Sequence, residues 1–149
     1  MSSVTINSLF AEYTEERNVK VNEEQFTSFT VFFPALLVII SDGIVDMEEW
    51  EYVKQLSRFI AKSFKEDEKA TIDIEELAKA YRHEISYLIK HLRDWQDKFI
   101  GALQSYINEH PEVKSSVLET MELFAEASEG TSDEEEKLIT DLKEKLNLG

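Results

Sequence analysis

Ten consecutive uncharged and almost wholly apolar residues, Val31-Phe-Phe-Pro-Ala-Leu-Leu-Val-Ile-Ile40, constrain this chain more than any other feature. A membrane-spanning helix needs about 20 such residues, and Pro34 interrupts the run. The stretch therefore reads as a buried helix. Pro34 either splits the helical segment Glu23–Ser41 or sits in its first turn. A core of some size is affordable, because 42% of the 149 residues are apolar and 11% aromatic, which argues against disorder. Four Gly and two Pro are too few for the turns of a many-stranded sandwich or barrel.

Helical periodicity dominates the remainder. Trp50, Val53, Leu56, Ile60 and Phe64 recur at three- and four-residue steps between Asp46 and Phe64, with Asp46 as N-cap and Glu48 and Glu49 in the first turn. Glu66-Asp-Glu68 reads as a loop. Asp73 caps the next segment, with Glu76 completing a box-like pattern. Ile74 to Asn108 is long enough for two helices or one bent one. His110-Pro111 marks a boundary before a helix faced by Val117, Met121 and Phe124 that ends near Gly130. Ser132 or Asp133 caps the last helix, striped by Leu138, Leu142 and Leu146. With a weaker stretch at Ile6–Arg17, the expectation is an all-α, single-domain bundle of six to seven helices over residues 1–149.

One segment occurs twice. Ser41-Asp-Gly-Ile-Val-Asp-Met-Glu-Glu49 and Ser128-Glu-Gly-Thr-Ser-Asp-Glu-Glu-Glu136 align at a spacing of 87. Each follows an apolar helix, turns at Gly43 or Gly130, and launches an acidic-capped helix. They predict two pseudo-symmetric helix-turn-helix units on one core. With Gly43 at the sixth position of an EF-hand loop, Asp42, Asp46 and Glu49 fall on ligand positions, but Val38 and Ile40 occupy the first two. In the second copy Glu129, Asp133 and Glu136 fall correctly while Ala125 and Ala127 fill the same two positions. A functional EF-hand is excluded. What remains are carboxylates that either cap helix starts or bind a hard cation weakly.

The pattern Asp42-Gly43, Val45 and Glu49, echoed by Glu129-Gly130 and Glu136, resembles the TerB-like family associated with tellurite resistance, to which the N-terminal domain of DjlA co-chaperones is related. The resemblance spans roughly residues 25–148, with Glu129 and Ser132 departing from the motif. It implies a helical fold, an acidic surface in a stress-response setting, and divalent-cation binding; on the spacing of the turns the ligands would be Asp42, Asp46 and Glu49, with Glu129, Asp133 and Glu136 as a weaker counterpart. Oxygen ligands would select Ca²⁺, Mg²⁺ or Mn²⁺.

Glu119, Glu122, Glu126 and Glu129 add a carboxylate stripe on one helical face, read either as solvated surface or as a cation-gathering one. Lys79 to Lys98 is locally basic and fits an acidic partner or the protein's own acidic turns. Without Cys there is no thiolate metal site or thiol catalysis. Neither Glu-x-x-His nor His-Glu-x-x-His occurs. Phosphate loops and nucleophile elbows are absent too. The reading is non-enzymatic: a TerB-like cation binder or, alternatively, a protein-interaction module. A formal charge of −15 argues against nucleic acid as partner. No transmembrane segment or secretory signal is visible, so a cytoplasmic location is expected.

Overall fold

The computed structural model describes the backbone of residues 5–19, 21–40, 47–67, 73–127 and 133–148, and all their side chains but those of 47–49, 63–67, 126, 127 and 134. Eight α-helices follow in order: α1 (Ile6–Glu16), α2 (Glu23–Val31), α3 (Phe33–Ile39), α4 (Met47–Asp67), α5 (Ile74–Lys90), α6 (Leu92–Glu109), α7 (Lys114–Ala127) and α8 (Asp133–Lys145). A 3-10 turn, Pro111–Val113, joins α6 to α7. The all-α expectation holds, and among the described residues there is no strand.

The count is eight rather than six to seven because both ambiguous segments divide. Pro34 lies in the first turn of α3 and has no N–H for the helical ladder, so α2 ends at Val31 and Phe32 serves as a hinge. The long segment breaks at His91 and not at Gly101, which lies inside α6. There the His91 N–H is shared between the carbonyls of Tyr87 and Leu88, while its own carbonyl accepts from Asp94. The bend brings Trp95 back beside Tyr87, whose hydroxyl accepts from the indole N–H at 3.2 Å. A second correction concerns Glu66 and Asp67, which are helical and not loop. No breaker precedes them, and glutamate is a good helix former.

Helix ends follow local chemistry. Thr5 and Ser8 bond reciprocally across the start of α1, as Asn22 and Gln25 do across α2. The Asp73 carboxylate accepts from the backbone N–H groups of Glu75 and Glu76. The return bond expected from Glu76 is not made among the described residues, and its carboxylate faces a cleft instead. α8 closes in a Schellman arrangement. Asn147 adopts a left-handed φ of 54°, and the Leu148 N–H reaches the Lys143 carbonyl at 2.9 Å.

All seven residues of α3 are buried, and α2, α4, α6, α7 and α8 pack around it. α4 and α5 lie along each other as a helical hairpin, while α1 packs on α2 and α6. Val53, Leu56 and Ile60 of α4 are buried, as are Val117, Met121 and Phe124 of α7, Leu142 of α8 and Leu146 just beyond its end. All belong to one continuous apolar cluster. No helix is long and apolar enough to cross a membrane among the described residues.

Candidate functional site

The six acidic turn residues are not assembled among the described residues. Asp42, Asp46 and Glu129 lie outside them, as does the side chain of Glu49 in the first turn of α4. Asp133 and Glu136 are both exposed in the first turn of α8, and Glu135 between them is buried. Asp133 is thus the first helical residue, and Ser132, the other cap expected from the sequence, lies outside the described residues. No group of three or more His, Asp or Glu side chains with metal-holding geometry occurs among the described residues. The helices that precede the two turns in sequence, α3 and α7, do pack against each other. In the carboxylate stripe, Glu119 and Glu122 are exposed, while the Glu126 side chain and Glu129 lie outside the described residues.

The histidines do not converge. His91 packs against Tyr87 with ring centroids 4.5 Å apart and planes tilted by 32°, and His110 packs likewise against Tyr106. His83 is exposed on α5. Of the basic segment, Lys98 pairs with Glu12 of α1, and Lys79 and Arg82 face the same cleft as Glu76.

A polar network that sequence reasoning missed crosses the interior between α1 and α5. The buried Glu84 carboxylate accepts from the Tyr13 hydroxyl at 2.6 Å and from Arg17 Nε at 2.7 Å on the same oxygen, and from Arg17 Nη2 at 3.3 Å on the other. The guanidinium lies 4.0 Å from the centroid of the Tyr87 ring. Burial, and then the hydrogen bond to Glu84, pushes the Tyr13 hydroxyl far above the usual tyrosine range. Its bond to Glu84 in turn raises Arg17. With both carboxylate oxygens paired and the cation held in place, the network has the character of a structural clasp.

A second missed feature is a groove. Phe32 at the α2–α3 hinge meets Phe59 of α4 edge to face, with ring centroids 5.4 Å apart. Ser116, Glu119, Thr120 and Leu123 of α7 form the opposite wall of a depression of about 360 Å³. Leu123 is 51% exposed, the one large apolar side chain exposed among the described residues. The signal was present: Ser116, Glu119, Thr120 and Leu123 recur at helical spacing off the Val117–Met121–Phe124 face, so Leu123 ends a stripe that is otherwise polar. Thr120 is satisfied by the Ser116 carbonyl at 2.7 Å, so no buried hydroxyl waits for a partner there.

Comparison with protein-family models, with curated proteins and with solved structures found no match.

Proposed function

We propose that this protein is a non-enzymatic, acidic interaction module that docks an amphipathic helical segment of a partner protein in the Phe32–Phe59–Leu123 groove. The observation that carries the reading is Leu123, half exposed beside two aromatic rings on an otherwise polar face. Helix-in-groove recognition uses apolar anchors at i, i+3/i+4 and i+7 laid into such a depression. Charge argues for the flanks of the occupant. Glu119 lines the groove, Glu122 is exposed on the same helix, and the chain carries −15, so a helix with Lys and Arg beside its apolar anchors is favoured and an acidic one repelled.

The test is fluorescence anisotropy with two labelled helical peptides sharing the same Leu and Phe anchors, one flanked by Lys and Arg and the other by Glu. The basic peptide binds, and Leu123→Lys weakens it about tenfold or more, equivalent to ~1.4 kcal/mol. Equal binding of both peptides, or an unchanged affinity in Leu123→Lys, would overturn the reading.

Weak Ca²⁺, Mg²⁺ or Mn²⁺ binding by a TerB-like protein is the second reading. It is supported by the duplicated acidic turn and by the packing of α3 on α7, α4 and α8, the helices that flank the turns in sequence. Calorimetry with the three cations at matched ionic strength separates the two readings. Heat in the parent that vanishes in Asp42→Asn with Glu49→Gln assigns function to the turns. No heat at millimolar metal leaves the carboxylates as helix caps.

A further inference from the structure

A second depression lies on another part of the molecule, bounded by the end of α1, the start of α4 and the outer face of α5. Its volume of about 370 Å³ falls within the range of small-molecule sites. One wall is apolar, made by the half-buried indole of Trp50 and by Ala80. The other carries Lys79 and Arg82, whose side chains make no hydrogen bond or ion pair among the described residues. In a chain with nearly twice as many acids as bases, these two cations open together on one cleft beside an indole.

The carboxylates of the cleft set the charge of the ligand. Glu84 contributes none to the balance, because Arg17 neutralises it at 2.7 Å. Glu76 faces the cleft and offsets one of the two free cations. Among the described residues that line the cleft, the remainder is a single positive charge beside an aromatic wall. We infer that this cleft binds a small organic monoanion with a flat apolar body, the ring lying on Trp50 and the acid group held by Arg82 and Lys79. Arg82 offers a planar two-pronged donor to an oxyanion and Lys79 a point charge. Because neither Phe32, Phe59 nor Leu123 lines this cleft, the inference stands apart from the docking groove.

The probe is 8-anilinonaphthalene-1-sulfonate, an aryl monoanion, titrated against the full chain and followed by its own fluorescence and by quenching of tryptophan. Its uncharged analogue N-phenyl-1-naphthylamine serves as the comparison. Saturable one-to-one binding is expected, weakened about tenfold in Lys79→Gln with Arg82→Gln. Trp50→Leu also weakens it, whereas Leu123→Lys leaves it unchanged. Arg82→Lys keeps a cation at the site and retains more affinity than Arg82→Gln, a ranking that a merely damaged fold would not produce. The inference is overturned by non-saturable binding, by equal affinity for the uncharged analogue, or by binding that survives the cleft variants and disappears in Leu123→Lys.

Discussion

Around α3 the interior is largely aliphatic, with Leu36, Leu37, Val38 and Ile39 meeting the apolar faces of α4, α7 and α8. Around Tyr13 it is aromatic and hydrogen-bonded: Phe26, Tyr87, Trp95 and Phe99 all lie within 6.0 Å of the Tyr13 ring centroid, and Glu84 and Arg17 complete the cluster. The two regions fail differently. Aliphatic contacts are non-directional, so a substitution is felt in proportion to the volume it removes. A buried charged network fails when any one member loses its partner. Phe99 belongs to both regions, because its ring stacks on Phe33 of α3 at 4.7 Å and meets Tyr13 edge to face at 5.8 Å.

The largest effect is therefore expected at that junction. Phe99→Ala should destabilise the fold by about 3–5 kcal/mol, whereas Leu37→Met in the aliphatic region should cost less than ~1.5 kcal/mol. Urea denaturation measures both. Similar losses in the two variants would show that the volume removed at these positions does not set the cost.

The clasp gives the next effect. Arg17→Met leaves the buried Glu84 without its counter-charge and should cost about 1.5–3 kcal/mol. Adding Glu84→Leu to that variant should return part of the loss, because the stranded charge is gone. A double variant weaker by the full sum of the two single changes would show that the pair contributes no coupling.

The smallest effect appears only in alkali. Burial pushes the hydroxyls of both Tyr13 and Tyr81 above the tyrosine range, and Tyr81 donates to the Gln25 carbonyl at 2.8 Å. An unfolded tyrosine loses its proton near pH 10, while these two retain theirs in the fold. The unfolded state then binds fewer protons, so stability is full below about pH 10 and falls above it by up to ~1.4 kcal/mol per pH unit for each tyrosine. Tyr81→Phe should flatten the fall in melting temperature between pH 10 and 11. A slope identical to the parent would mean that Tyr81 ionises as readily in the fold as out of it.

The same contrast decides what could be read in advance. The aliphatic region was visible as the Val31–Ile40 run and as period-3.6 stripes such as Trp50–Ile60 and Val117–Phe124, since burial on all sides leaves its mark on neighbouring residues. The clasp was not. Tyr13, Arg17 and Glu84 are each of a type common at surfaces, and Glu84 stands 71 and 67 residues from its two partners. The bend at His91 and the packing of α1 on α2 and α6 give that cluster its enclosure. The groove was half legible through Leu123, but Phe32 reads as one more member of an apolar run until Pro34 makes it a hinge. The acidic turns are legible as candidate sites from spacing and from the family resemblance, and of their six residues only the side chains of Asp133 and Glu136 lie within the described residues.

The central position of α3 has a consequence for the order of synthesis. Four of the helices that cover it, α4, α6, α7 and α8, are encoded after it, and α8 ends at Lys145. At bacterial-to-eukaryotic elongation rates the run from Val31 to Ile40 waits roughly 5–20 s before its last covering helix has been made. During that interval its residues 35–40 are an uncharged, apolar and proline-free segment of the nascent chain, the composition that favours association as strands. Pro34, which divides two helices in the finished molecule, then acts as a gatekeeper: it breaks the backbone pairing that adjacent copies of the run would need to associate as strands.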